Sequence, residues 1–556
     1  MTTSAVTFSS DNFARQCGQR IRLVLLLAVV LSGLSHTAGA QPPPGTELAE
    51  EQVLHRGNSR EPQSLDPHIA EGVESSHIQR DLFESLVGEA ANGDLVPAVA
   101  THWDISDDRL RYTFHLREDA KWSNGDPVTA HDFVFSWRRL VDPATGSRYS
   151  MMLAPVRNAE AIISGELPTG DLGVVAINDR TLQVSLHTVT PYFLSMLTHA
   201  TVYPVHPPSV NKHGDRFTRP GNLISNGAYV LDEWQVQSHV KLVRNPLYWD
   251  NENTTINEVY FYPTEDLNAM VLRYRAGGMD MTSEELPVSQ LDRLRETLEG
   301  ELYISPWLGI YYYGFNLTKP PFADQPKLRQ ALSMTIDREI ITDKVLGNGV
   351  LPAYGFVPPG VLDYEGYEYP WKDMDREAQI AEAKRLYHEA GYSKDNPLRV
   401  ELRYNTEQNH KKIALAISAM WRQHLGVVTE IINQEWKVFL DVRAQKQITQ
   451  AFRLGWIGDY NDAYTFLELG LSNNGQNDTG YNDPAYDRLL ADSFQTETVA
   501  ERAAVMRKAE EHFLGDYPVA PIYYYVTARL IKPYVGGFKS NIMDHHHTKY
   551  FYIKAH

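Results

Sequence analysis

Between Lys411 and Leu425 the apolar residues Ile413, Ala416, Ile417, Met420, Trp421 and Leu425 recur at helical intervals and draw one stripe along an amphipathic helix. Gly426 stops it, and Val427 to Ile432 follows as a strand, a helix–glycine–strand unit typical of α/β layers. The same periodicity predicts a helix from about Ser75 to Val87, with Ile78, Leu82, Phe83 and Leu86 on one face. Thr129 is placed to cap a helix from Ala130 to Leu140, and Pro326 sits inside the first turn of another. Between these helices lie strand patterns. Val53–Asn58, Leu110–Leu116, Thr181–Leu186 and Glu258–Tyr262 read as short strands, and Asn226–Leu231 with Lys241–Pro246 reads as a hairpin. Leu302 to Asn316 is a long apolar run containing Tyr311, Tyr312 and Tyr313, and the chain closes on a further strand at Pro521–Val526. The fold class is therefore α/β, with mixed sheets flanked by helices.

The first 40 residues are different in kind. Arg20 and Arg22 precede the apolar run Leu23–Leu31, and Ala38-Gly39-Ala40 follows, the pattern of a secretory signal cleaved after Ala40. The run is short for a membrane anchor. Residues 1–40 carry Arg15, Arg20, Arg22 and Asp11, a net charge of +2, so the remainder stands at −20 where the whole chain stands at −18. That acidity excludes a broad electrostatic footprint for nucleic acid or anionic membrane. The one cysteine, Cys17, lies inside the signal, which suits an oxidising compartment and leaves no thiol for a lipid anchor at the cleavage site. The expected product is exported, without stable membrane insertion, and large enough at 556 residues for three or four domain-sized units.

The usual catalytic signatures are silent: there is no nucleophile elbow, phosphate loop, His-Glu-x-x-His helix or Cys-x-x-Cys pair. His545, His546 and His547 read as a solvated tail rather than a metal site. The informative stretch is Arg453-Leu454-Gly455-Trp456-Ile457-Gly458-Asp459-Tyr460. In an extended chain Arg453 and Asp459 share one face on the order of 20 Å apart, too far to pair with each other. They are spaced to receive the two ends of an extended zwitterion of about three or four residues, and Gly455 and Gly458 leave backbone that another chain can approach.

Together with Ser64-Leu65-Asp66-Pro67-His68, Ala120-Lys121-Trp122-Ser123-Asn124-Gly125, Ser225-Asn226-Gly227-Ala228-Tyr229 and Lys319-Pro320-Pro321-Phe322, this stretch resembles the periplasmic oligopeptide-binding proteins of ABC importers, a likeness running from about Glu50 to His556. The resemblance implies a two-lobe periplasmic binding protein fold, class II-like and of type C, with an extra inserted domain. It implies a first lobe of 47–84, 209–308 and 526–556, an inserted domain of 85–208 and a second lobe of 309–525. It also implies a monomeric receptor that captures peptides of about two to five residues, largely independent of their sequence, and hands them to an ABC permease in the membrane. By that likeness Asp459 holds the peptide ammonium, and Arg453 and His410 meet the carboxylate end. Glu71, Gly72 and Val73 on one side, with Gly455 and Ile457 on the other, look like flanking strands for the peptide main chain. Tyr149, Trp436, Trp456 and Tyr525 match pocket aromatics. No catalytic residue, metal or cofactor is implied.

Two departures stand out. Some relatives have a cysteine pair at the places of Gly309 and Ile457, and an acid where this chain has Gly314; Arg443 nearby is then a candidate for drawing acidic side chains. The alternatives weighed are a binder of murein peptides, nickel complexes or haem on the same fold, and an exported peptidase.

Overall fold

The computed structural model describes residues 42–70, 72–447, 449–496 and 498–556. The expected signal at 1–40 lies outside them. Three main sheets form the frame. In the first, Val53–Asn58 runs parallel to Glu258–Pro263, which continues antiparallel into His239–Arg244 and Tyr229–Gln235, so the expected hairpin and its neighbour are one sheet. The second is an antiparallel sheet of Ala100–Ile105, Arg111–Leu116, Thr181–Ser185 and Val174–Asn178. The third is mixed and has six strands, in the order Leu351–Pro352, Val519–Leu530, Leu302–Phe315, Ala451–Ile457, Arg399–Asn405 and Val428–Gln434.

Local chemistry explains the helix limits. Thr129 and Asp132 form a reciprocal capping box at the start of Ala130–Val141. The long amphipathic helix begins earlier than its apolar stripe, at Gln408, because the Glu407 carboxylate accepts the His410 N–H, and it ends where Gly426 takes a φ of 76°. The helix expected over 75–87 instead runs Val73–Leu82. Asn226 ends it by offering its amide to the Glu84 backbone, accepting the N–H at 3.0 Å and donating to the carbonyl at 2.8 Å, and Val87–Glu89 then enters a strand.

Apolar burial divides into two large cores and one small one. One large core runs from Leu308 to Tyr524 with Met543; the other collects Leu54 to Phe261 with C-terminal Phe551 and Ile553. The two long strands Leu302–Phe315 and Val519–Leu530 run side by side, with residues 308–315 and 519–524 in the first large core and Leu302, Ile304, Ala528 and Leu530 at the small one. Their ladder breaks between Pro306, opposite Val526, and Ile310, opposite Tyr524. A β-bulge at such a place bends the strands and weakens pairing locally.

The histidine tail is a correction to the sequence reading. His545, His546 and His547 are each only 8% exposed. His545 Nδ1 lies 2.6 Å from Glu89 and its Nε2 lies 2.5 Å from Arg80 Nη2. That pattern assigns a neutral ring, donating from Nδ1 and accepting at Nε2. His546 holds Asp544, which also receives Arg529 at 2.5–2.6 Å. The tail is a buried clamp between the helix Val73–Leu82 and the strand Val519–Leu530.

The segment carrying Asp459 is fixed by close packing. The Gly458 N–H donates to the Leu308 carbonyl at 2.8 Å, and a Cβ at Gly458 would meet Leu308 Cδ2 at 2.6 Å and Thr465 Cγ2 at 3.1 Å. Leu308 is fully buried and cannot step aside freely. Gly458→Ala is therefore expected to cost about 1–3 kcal/mol of stability by chemical denaturation, with Leu308→Ala in the same chain recovering part of the overpacking cost. An unchanged denaturation midpoint for Gly458→Ala would contradict this packing.

Candidate functional site

The strand Ala451–Ile457 pairs on one side with Gly309–Phe315 over its whole length. On the other side only Ala451 and Phe452 pair, with Leu402 and Arg403. From Arg453 to Ile457 that second edge has no strand partner among the described residues, so its main-chain groups are open to an added strand. Beside it lies a cavity of about 1030 Å³, whose lining includes Gly72, Val73, Tyr149, Trp456, Ile457 and Asp459. Six of the sequence-predicted residues therefore come together.

Asp459 carries the electrostatic interest. Its amide donates to Thr465 Oγ1 at 3.5 Å, and its carboxylate forms no ion pair among the described residues. Burial pushes that carboxyl up to about 6. Three residues on, Asp462 receives both guanidinium nitrogens of Arg502, at 2.6 and 2.8 Å, and is fully paired. Asp459 is thus a half-buried acid held without a cation in the wall of a large cavity.

Arg453, Gly455, His410 and Tyr525 form a second group that does not line the cavity. Arg453 donates to the Tyr525 hydroxyl at 3.0 Å, and its guanidinium stands 4.9 Å from the Tyr311 ring centroid. No carboxylate pairs with it among the described residues. The His410 ring centroid is 5.4 Å from that of Tyr311. Glu407 stands 3.3 Å from His410 Nδ1, yet burial and then the Arg453 charge push the ring down to about 3, so it is neutral at physiological pH. Trp307 links the two groups: it lines the cavity and meets Tyr525 edge-on at 6.2 Å.

Several expectations need revision. Gly72 and Val73 are no strand: Gly72, at a φ of 91°, is the N-cap and Val73 the first residue of the helix Val73–Leu82. A Cβ at Gly455 would lie 2.9 Å from both Arg453 Nη2 and the Tyr525 hydroxyl, so the missing side chain there serves the protein's own contacts. Gly309 and Ile457 do face each other across the ladder, and the Ile457 side chain fills the space above Gly309. A Cβ at Gly314 would meet Leu454 and Phe452, which places this position in packed core rather than in the cavity wall. Arg443 is 2.5 Å from Asp478 and is neutralised by it. Glu71 lies outside the described residues. Trp436 opens the helix Trp436–Gln445, and its side chain lies outside them too.

Sequence reading missed Glu468. It lines the same cavity, receives the Tyr460 hydroxyl at 3.2 Å and has no ion pair among the described residues. Burial, and then the like charge of Asp459, push it up to about 8. The one signal was an acid one short helix, Tyr464–Leu467, beyond Asp459. The cluster Asp483, His512 and Asp516 brings three candidate metal-ligand atoms within 4.8 Å of one another. Its members already serve each other and the fold: His512 contacts Asp483 at 3.0 Å, Asp483 caps the helix Pro484–Ser493, and Tyr481 donates to Asp516.

The model for bacterial extracellular solute-binding proteins, family 5 Middle, matches residues 94–478. The periplasmic oligopeptide-binding protein OppA of Escherichia coli is 43% identical over 534 residues, covering 96% of this chain and 98% of that protein. The E. coli periplasmic murein peptide-binding protein MppA is 42% identical over 536 residues, covering 96% and 99%. The unliganded open form of MppA superposes with a TM-score of 0.82 at 43% identity, over 92% of this chain and 99% of that one. Haemophilus influenzae OppA in complex with RPPGFSPFR superposes at 0.77 with 41% identity, over 92% and 100%. The two-lobe periplasmic binding protein fold is shared with these structures. The relatives named are binding proteins, and among the described residues no helix is long and apolar enough to cross a membrane. Matched by the family model over most of its length and by relatives from end to end, the chain belongs to the bacterial extracellular solute-binding proteins of family 5.

Proposed function

We propose that this protein is a periplasmic receptor that captures short peptides, of about two to five residues, and delivers them to an ABC permease. Asp459 takes the peptide ammonium, the open edge from Arg453 to Ile457 takes its main chain, and Arg453 with His410 meets the carboxylate end. The lobes, 47–84 with 209–308 and 526–556 against 309–525, close over the guest by bending where the paired strands lose register near Pro306–Ile310, and 85–208 adds a third wall. The observation that carries this reading is a pair of opposite charges, Asp459 and Arg453, on one strand and its exit, each without an ionic partner among the described residues and with an unpaired strand edge between them. Oligopeptide-binding and murein peptide-binding relatives support peptides as the class. The relative solved with RPPGFSPFR holds nine residues, so the upper limit on length is the first thing to measure. Native mass spectrometry of protein purified from cells separates the readings: a series of short peptides supports general capture, a single cell-wall peptide supports murein recovery, and a non-peptide guest refutes both.

Two outcomes follow for Asp459. Its replacement by Ala removes a charge-assisted bond worth about 1.5–3 kcal/mol, so calorimetry should show Ala-Ala-Ala binding at least about tenfold more weakly. Unchanged affinity would remove Asp459 from the site. The pH dependence has a fixed sign. Burial raises the empty-site carboxyl to about 6, and a bound ammonium lowers it, so binding is strongest above that value and weakens as pH falls through about 6. Titrating Ala-Ala-Ala between pH 5 and 7 reads this directly, and a flat profile would contradict it.

A further inference from the structure

Several buried or half-buried acids of this chain have a cation. Asp462 holds Arg502, Asp478 holds Arg443, and Asp544 holds Arg529. Besides the exposed Glu160, three lining carboxylates form no ion pair among the described residues: Asp459, Glu468 and Glu284. Glu284 is 5% exposed and its Oε2 is unpartnered. Arg80 and Arg148 line the cavity too, but the charges that act on Asp459 and Glu468 do not include them, so Glu468 is a second acid beside Asp459 without a cation among the described residues. Asp459 and Glu468 are the two that work on each other, brought together by the short helix Tyr464–Leu467, whose Thr465 also receives the Asp459 amide.

Resting on the peptide reading above, we propose that Glu468 sets specificity for the guest's first residue. With Asp459 it forms a two-carboxylate pocket for an N-terminal residue that carries two positive charges, the α-ammonium meeting Asp459 and a lysine or arginine side chain meeting Glu468. A guest with only its ammonium leaves Glu468 protonated and without a charged partner. A dicationic first residue satisfies both and gains through complementarity. Trp456 and Tyr460 line the same cavity, and aromatic faces suit the stem and head of a long cationic side chain.

Proton movement gives the pocket its own signature. The groups facing Glu468 are Asp459, Asp462, Tyr460 and Tyr464, with Tyr192 stacked on Tyr460 at 4.5 Å and Arg502 turned onto Asp462. In this setting Glu468 is raised to about 8, so it holds a proton at pH 7 when the site is empty. A cationic side chain entering stabilises the carboxylate and sends that proton to solvent.

Calorimetry at pH 7 with Lys-Ala-Ala and its Nε-acetyl form tests the assignment, because acetylation removes the side-chain charge and keeps the stem. The readout is the affinity ratio of the two peptides within each protein, so a loss shared by both cancels. The wild-type ratio should be at least about tenfold, and should fall to about one in Glu468→Gln, with the melting temperature confirming a folded variant. Repeating the wild-type titration in phosphate and in Tris should show a larger proton release for Lys-Ala-Ala than for its Nε-acetyl form. A ratio near one in the wild type, or the same ratio in Glu468→Gln, overturns the role of Glu468 while leaving peptide capture standing. Failure of both peptides and of Ala-Ala-Ala to bind overturns peptide capture itself, and this assignment with it.

Discussion

A carboxylate taken out of water without a partner is among the more costly arrangements a folded chain can hold, and the organisation of this protein turns on one such group, Asp459. Burial makes its anionic form unfavourable, and no cation among the described residues relieves it. Neighbouring acids show that the chain supplies cations where it uses them: Arg502 lies across Asp462 and Arg529 across Asp544. A group left this way has a standing demand for positive charge. In the proposed capture of a peptide, the guest ammonium meets it.

The fold spends much of its packing on keeping that acid in place. The strand Ala451–Ile457 is anchored along one side by Gly309–Phe315, and Gly458 is locked against Leu308 immediately before Asp459. The same two long strands that supply this anchor carry the ladder break at Pro306–Ile310, so the backing of the site and the loss of register are adjacent in one element. Ile457 packs over Gly309 across the ladder, a contact held by dispersion and burial. On the opposite wall the buried tail His545–His547 ties Arg80 and Glu89 together, and both Arg80 and His545 reach the cavity surface.

Much of this was legible in the residues. Periodicity located the long helix and the hairpin because each has one face toward water and one in a core, continuous apolar runs located strands buried on both faces such as residues 308–315, and Thr129 and Gly426 marked helix ends through local chemistry. The spacing of Arg453 and Asp459 was legible because both lie on one strand and its exit. What stayed hidden depends on contacts far apart in sequence. Nothing near His545 announces that Glu89 and Arg80, more than 450 residues away, will bury it. Val73 reads as extended until Gly72, with its positive φ, turns the chain into a helix. Glu468 reads as an ordinary surface acid until the cavity forms around it. The charge on Arg443 was visible, but its neutralisation by Asp478 was not.

The most direct measurement is a crystal structure of the protein closed on Ala-Ala-Ala. The account predicts the tripeptide's amino nitrogen within hydrogen-bonding distance of the Asp459 carboxylate and its backbone paired along Gly455–Ile457. An amino end lodged elsewhere, with Asp459 still facing only water, would contradict it.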